Sequence, residues 1–263
     1  MVVQVKDPIA SIIETSARGS RGLAVNIQDQ TTQPIDLFFT EKKGTISTTN
    51  AVLQGGYTVD LTPGHGAVIG DVIEARTSEN YVQATIVNVV GDTITVKTPW
   101  SRDFPAGVSL LLGNPNLNVV GSTVTNRIFS VAPSPLQEAD IVRVIIIIED
   151  ASAMDFTTFG GAPELTNGCV LRYKNSDGTY TNLFNWASNG DIIARVFDHV
   201  FQSKIGGGLN ALTARSTWGG QSKRGVVLRL DGALLEELEM VVQDDLTVLN
   251  KFLVVAQGHM VQN

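Results

Sequence analysis

The sequence predicts an all-β protein in three parts: an extended N-terminal arm, a small SH3- or OB-like β-barrel, and a C-terminal β-sandwich of jelly-roll type. Three observations predict it. Short runs are dense in Val, Ile and Thr, the residue types that suit strands. Turns containing Gly, Asn or Asp separate these runs. The turns also recur too closely for helices of roughly 10–15 residues, which βαβ units need between strands.

Residues 1–35 read as the arm. "MVVQVKD" suits a strand, "ETSARGSRG" is polar, "LAVNIQDQ" alternates again, and "TTQP" ends the segment at Pro34. So short a segment buries too little apolar surface to fold by itself. It is expected to dock on the body of the chain or on a neighbouring subunit, with Val3, Val5, Leu23, Val25 and Ile27 as contacts.

Residues 36–114 read as the small barrel. "IGDVIEAR" places Val72, Glu74 and Arg76 on one face and Ile73 and Ala75 on the other. "YVQATIVNVV" turns tightly at Gly91-Asp92 into "TITVKTPW", and "FPAG" turns into "VSLLLG". Even spacing and tight turns fit a small closed sheet. Such barrels often bind nucleic acid, but this segment is not basic and lacks interleaved aromatics.

Residues 115–263 read as the sandwich. Its strand candidates are "TNRIFSVAP", "IVRVIIIIED", "GCVLRYK", "YTNLFNWA", "DIIARVF", "GVVLRLD", "LEMVVQDD" and "FLVVAQGHMV". Asp177-Gly178 and Asn189-Gly190 carry two-residue hairpin chemistry, the first as a type I′ turn. "GALLEELE" is either a helix or a hairpin loop, and Gly206, Gly207 and Gly208 mark a long flexible loop.

Within the sandwich, "RVIIIIED" (143–150) stands apart. The apolar stretch from Ile141 to Ile148 includes Arg143 and is far shorter than the roughly 20 residues of a membrane-spanning helix. It also lacks the polar alternation of a transmembrane barrel strand. It predicts a strand buried on both faces, whereas an antiparallel sandwich normally wets one. Either Ile145 and Ile147 or Ile146 and Ile148 should therefore face a second layer: the barrel, the arm or another subunit. At about 25 cal/mol per Å², covering three isoleucine side chains is worth several kcal/mol.

Composition removes several function classes. The net charge is −7 and the pI about 4.9, the wrong sign for binding nucleic acid over a broad surface. Hydrophobic content of 43% and a mean hydropathy of +0.12 argue against disorder. Cys169 is the sole cysteine; no intrachain disulfide is possible, and the fold needs no oxidising compartment. It reads as a small buried apolar residue. "MVVQVKDPIAS" has neither the basic nor the apolar region of a signal peptide.

No catalytic, metal-binding or cofactor-binding set is predicted, and the expected protein is not an enzyme. His65, His199 and His259 lack zinc-ligand spacing. No nucleophile elbow, phosphate-binding loop or dinucleotide fingerprint is present. The acid pairs Glu149-Asp150, Glu236-Glu237 and Asp244-Asp245 are adjacent residues. On a strand they would point to opposite faces, whereas glycosidic chemistry needs two facing carboxyls. "NSDGTY" and "EDASAMD" offer loop oxygens for calcium but lack the EF-hand pattern. In "TTFGGAPEL", with Phe156 just before it, Phe159 marks either a core-capping loop or an intersubunit contact.

Three stretches together resemble structural proteins of tailed-bacteriophage virions: "VVQVKDP…ARGSRGLAVNIQDQTT", "DFTTFGGAPELTNGCVLR" and "VVQDDLTVLNKFLVVAQGH". The resemblance spans most of the chain. It implies an accessory virion component, a capsid decoration protein or one fixed at the neck or baseplate. It further implies synthesis in the host bacterial cytoplasm and partners among capsid, neck or tail proteins. A homo-oligomer is implied, a trimer among the options, with no direct contact to nucleic acid or membrane. The competing class is a receptor- or glycan-binding module of a phage tail or adhesin, which needs exposed aromatics. Trp218, in a glycine-rich loop beside Lys223 and Arg224, is its best candidate; Trp186 reads more readily as core.

Overall fold

The computed structural model describes residues 2–4, 10–17, 20–27, 32–76, 81–155, 157–187, 199–204, 206–217 and 228–262, with backbone alone at the described positions before 35 and at 199–200, 206, 217 and 261–262. It is all-β, with antiparallel pairing throughout. Strands β1 (Val2–Gln4), β2 (Ala10–Ala17) and β3 (Ser20–Ile27) form a three-stranded meander. Among the described residues its ladders run only within itself.

Two larger sheets form a β-sandwich. The first has the order β15 (His199–Lys204), β16 (Asn210–Thr217), β12 (Gln137–Asp150), β19 (Lys251–Gln262), β4 (Thr32–Phe38), with β17 (Leu228–Asp231) also beside β12. The second has the order β11 (Arg127–Val131), β18 (Glu237–Val242), β13 (Cys169–Lys174), β14 (Tyr180–Trp186). Their inner faces meet in one core containing Phe129, Val131, Ile146, Ile148, Leu171, Met240, Val242, Phe252 and Val254.

The isoleucine strand β12 is the spine of the first sheet. At 14 residues it is about 45 Å long. One side pairs with β17 over Glu138–Ile141 and with β16 over Arg143–Asp150; the other pairs with β19 along nearly its whole length. A bulge in the β19 register falls between Ile141 and Arg143. It reverses the parity of burial: Ala139 and Ile141 point into the core before it, Val144, Ile146 and Ile148 after it. Alternation thus persists through the apolar run but changes phase. Gly258 sits opposite Ile141 at the bulge, where a Cβ would lie 1.8 Å from the Asp140 carbonyl oxygen, so only glycine fits.

Between β4 and β11 the chain makes a separate six-stranded sheet. Its order is β5 (Glu41–Ser47), β10 (Ser109–Asn114), β7 (Val72–Arg76), β8 (Tyr81–Val90), β9 (Thr93–Val96), β6 (Thr58–Asp60). It has its own core, including Val59, Leu61, Ile73, Ile86, Ile94, Leu110 and an edge-on pair of Trp100 and Phe104, ring centres 5.9 Å apart. β4 lies across the boundary expected at residue 35 and belongs to the sandwich, so this small module is an insertion in the larger sheet.

Some local expectations change. The β13–β14 hairpin forms at Asp177-Gly178, but Gly178 (φ 81°) is the sole left-handed residue there. A type I′ turn needs two. Instead Lys174 faces Tyr180 across a longer turn, and Asp177 Oδ1 accepts hydrogen bonds from the Thr179 N–H and hydroxyl. "GALLEELE" is a turn followed by β18, because Leu238, Met240 and Val242 reach the core with period two rather than 3.6. The triple glycine lies in a compact connection between Lys204 and Asn210, which pair, rather than in a long loop. "DIIARVF" and the Asn189-Gly190 turn lie outside the described residues.

Candidate interaction site

The outer face of β12 carries Arg143, Ile145, Ile147 and Glu149. Across the ladder they meet Gln257, Val255, Leu253 and Lys251 of β19, and Phe38 and Asp36 of β4 extend two of these rows. Charge lies at the ends. Lys251 Nζ is 2.9 Å from Glu149 Oε1. Arg143 donates to Gln257, whose amide donates to Asp36 at 2.7 Å. Between them Ile145, Ile147, Leu253, Val255 and Phe38 make an apolar floor. The small module supplies the opposite wall with Val68, Ile69 and the Lys43–Asp71 pair (2.6 and 2.9 Å). The resulting cleft has a volume of about 860 Å³, and Val68 and Ile69 on its wall remain 53% and 65% exposed.

A polar joint fixes the two walls. Gln83 of β8 uses both ends of its amide on one residue of β4: Phe38 N–H donates to Gln83 Oε1 (2.8 Å), and Gln83 Nε2 donates to the Phe38 carbonyl (3.0 Å). The side chain thus imitates a neighbouring strand at the sheet edge, where unpaired backbone groups invite other chains. Beside it Glu74, 1% exposed, receives Lys42 (2.5 Å), Arg76 (2.9 Å), Thr40 Oγ1 (3.0 Å) and Gln83 (3.3 Å). Burial pushes the Glu74 carboxyl up, but Lys42 and Arg76 outweigh it and hold the group below the usual carboxylate range. Burial, with Glu74 nearby, pushes the Tyr81 hydroxyl well up. Arg76 lies 5.5 Å over the Tyr81 ring. The Arg127–Glu41 pair adds a second tie between the module and the sandwich.

Of the contacts expected from sequence, Ile145 and Ile147 both line this cleft. Val3 lies in β1, and Leu23, Val25 and Ile27 in β3, as backbone positions. Val5, Phe156 and Trp218 lie outside the described residues. Phe159 is fully buried, bridged to Ala162 and 6.5 Å from Phe252; of its two readings, the core-capping loop describes it, and its side chain is withdrawn from any partner. Trp186 is likewise buried, 5.2 Å from Phe184. Cys169 lies in the core, and burial, with Asp244 nearby, pushes its thiol up.

Of the acids weighed for catalysis or calcium, Glu149 and Glu237 pair across strands with Lys251 and Lys174, and the aspartates organise turns. Asp150, buried at the end of β12, accepts the N–H groups of Ser152 and Gly161. Asp244 accepts those of Asn167 (2.9 Å) and Gly168 (2.7 Å). Asp155, Asp177 and Asp245 each accept both N–H and hydroxyl from a threonine two residues on. These bonds hold all three carboxyls below the usual range. Among the described residues no three His, Cys, Asp or Glu side chains gather as a metal-binding group. Sequence reasoning missed Gln83, Val68 and Ile69. Glu74 was visible as an acid inside an apolar strand, a pattern that signals a buried partner.

Comparison of the chain with protein-family models and with curated proteins finds no match in either.

Proposed function

We propose that this chain is a non-enzymatic structural component of a tailed-phage virion. It attaches through its N-terminal segment and its sandwich to neighbouring virion subunits, at a capsid-decoration, neck or baseplate position. The observation that carries the reading is the cleft over β12. An apolar floor of Ile145, Ile147, Leu253 and Val255 faces a wall whose Val68 and Ile69 stay largely exposed. Contiguous apolar surface of this kind marks protein contacts. The sequence resemblance supplies the particle.

The finer architecture belongs to the same proposal. A small barrel is supported by the Thr48–Leu61 bridge, which joins the two edge regions of the six-stranded sheet. A jelly-roll-like sandwich is supported by the two face-to-face antiparallel sheets. The test is the protein's place on a purified particle, by electron cryomicroscopy or site-specific labelling. Localisation to head, neck or baseplate is expected, and deletion of residues 1–35 should weaken attachment. Absence from particles, or secretion as a free host-binding protein, would overturn the reading.

A further inference from the structure

The connection into β13 carries an Asn-Gly pair, Asn167-Gly168, a dipeptide prone to modify itself. A glycine offers no side chain to hinder its own amide nitrogen, which can attack the preceding asparagine side chain. The fold holds both residues in place. Gly168 is buried with φ 83°, and a Cβ on it would lie 2.8 Å from the Trp186 carbonyl oxygen. Asn167 donates from Nδ2 to the Gln243 carbonyl (3.3 Å) and to Asp244 Oδ1 (3.1 Å). Its own carbonyl accepts Asn185 Nδ2 (3.2 Å). Asp244 Oδ2 accepts two backbone N–H groups, from Asn167 (2.9 Å) and from Gly168 (2.7 Å). The nucleophile of the reaction and its leaving group are therefore bound to the two oxygens of one carboxylate.

We infer that Asn167 is a latent deamidation site and that Asp244 keeps it closed. The inference goes beyond the assembly reading and stands independently of it. In the reaction the Gly168 nitrogen gives up its proton and bonds to Asn167 Cγ. The Cγ–Nδ2 bond breaks, Nδ2 leaves as ammonia with that proton, and a succinimide ring remains. Water then opens the ring to aspartate or isoaspartate. Asp244 opposes the first step in two ways. Its hydrogen bond holds the Gly168 proton, and its charge disfavours the amide anion that must form beside it. Hydrogen bonds to charged groups are worth about tenfold or more each, so the two that bind nucleophile and leaving group slow the reaction roughly a hundredfold. Modification would not be silent. Either product brings a new carboxylate beside Asp244, and like charges repel. Isoaspartate also adds a methylene to the backbone just before Cys169, which pairs with Trp186 and Val242.

The test is mass spectrometry of the full-length chain, incubated in mildly alkaline buffer and then digested with trypsin. Asn167 is the sole asparagine of the tryptic peptide 144–172, so conversion of an amide to an acid there reports on it alone. Native wild type should convert roughly a hundredfold more slowly than the same chain in guanidinium chloride. Asp244→Asn keeps an oxygen for the two N–H groups but removes the charge; while folded, it should convert about tenfold faster than wild type. Ile148→Ala, which weakens the sandwich core and leaves Asp244 in place, should convert like wild type. Three results would overturn the inference: native wild type that converts as fast as the denatured chain, Asp244→Asn that converts no faster than wild type, or Ile148→Ala that accelerates as much as Asp244→Asn. The first of these needs no variant to fold.

Discussion

Ile145 and Ile146 are chemically identical neighbours in one strand, yet they meet two kinds of surroundings. Ile146, with Ile148 and Val144, is sealed against the second sheet of the sandwich. Ile145, with Ile147, is half-buried over a cleft whose far wall belongs to the small module. The inner face is closed by apolar interdigitation. The outer face is closed only as far as Gln83, Glu74, Lys42 and Arg76 hold the module in place. A run of four isoleucines therefore does not imply equal burial; it records two coverings of different chemistry.

Four experiments test that contrast. The largest effect belongs to the inner face: Ile146→Ala or Ile148→Ala should cost about 2–5 kcal/mol, the usual range for emptying a sealed site, read by urea denaturation. A loss below about 1 kcal/mol would mean that the sandwich core is not closed there. Next comes the joint. Glu74→Gln leaves Lys42 and Arg76 beside an uncharged amide and should cost about 2–3 kcal/mol. That is less than the breaking of a fully buried pair, because both cations keep contact with water. The same substitution has a pH signature. The Glu74 carboxyl is held below its unfolded value, so the unfolded chain takes up the proton first. Its contribution is complete above about pH 4.3 and is lost as pH falls through the folded value. Wild type should lose stability in that acid window, and Glu74→Gln should lose less of it.

A smaller loss, about 1–2 kcal/mol, is expected for Gln83→Ala, which strips both partners from the Phe38 backbone. Binding of an apolar dye should rise in the same variant as the cleft loosens. The smallest effect belongs to the outer face. Ile145→Thr should cost no more than about 1 kcal/mol, since the side chain already meets the open cleft, and should reduce dye binding. If Ile145 and Ile146 proved equally sensitive, the two faces would not differ as described.

Much of this was legible in the sequence because strand chemistry is local. Val, Ile and Thr runs with Gly-Asp or Asp-Gly turns marked β8, β9, β13 and β14, and the apolar run marked β12. What escaped depended on distant residues. Strands β15 and β16, "HVFQSK" and "NALTARST", are polar enough to pass for loop; β15 pairs with β16, and β16 pairs on its other side with β12, sixty or more residues earlier. The phase change at Gly258 was hidden because a bulge is a property of two strands together. The cleft was half legible: four isoleucines announced that something covers them, while Val68 and Ile69 sit between glycines in a loop that gives no sign of facing a sheet. Gln83 carries no sequence signal, for its role exists only once the edge of β4 is beside it.

The register of the small module has one more implication. Its first residue, Glu41, and its last, Asn114, are direct partners across β5 and β10, so the chain leaves the sandwich and re-enters it about one strand spacing apart, roughly 5 Å. The whole insertion behaves as a cassette. A tight turn spanning that gap would restore a continuous sandwich, and a different domain with adjacent ends could be plugged in without rewiring any strand of the host. Evolution can therefore vary what stands over the isoleucine floor while leaving the floor itself untouched.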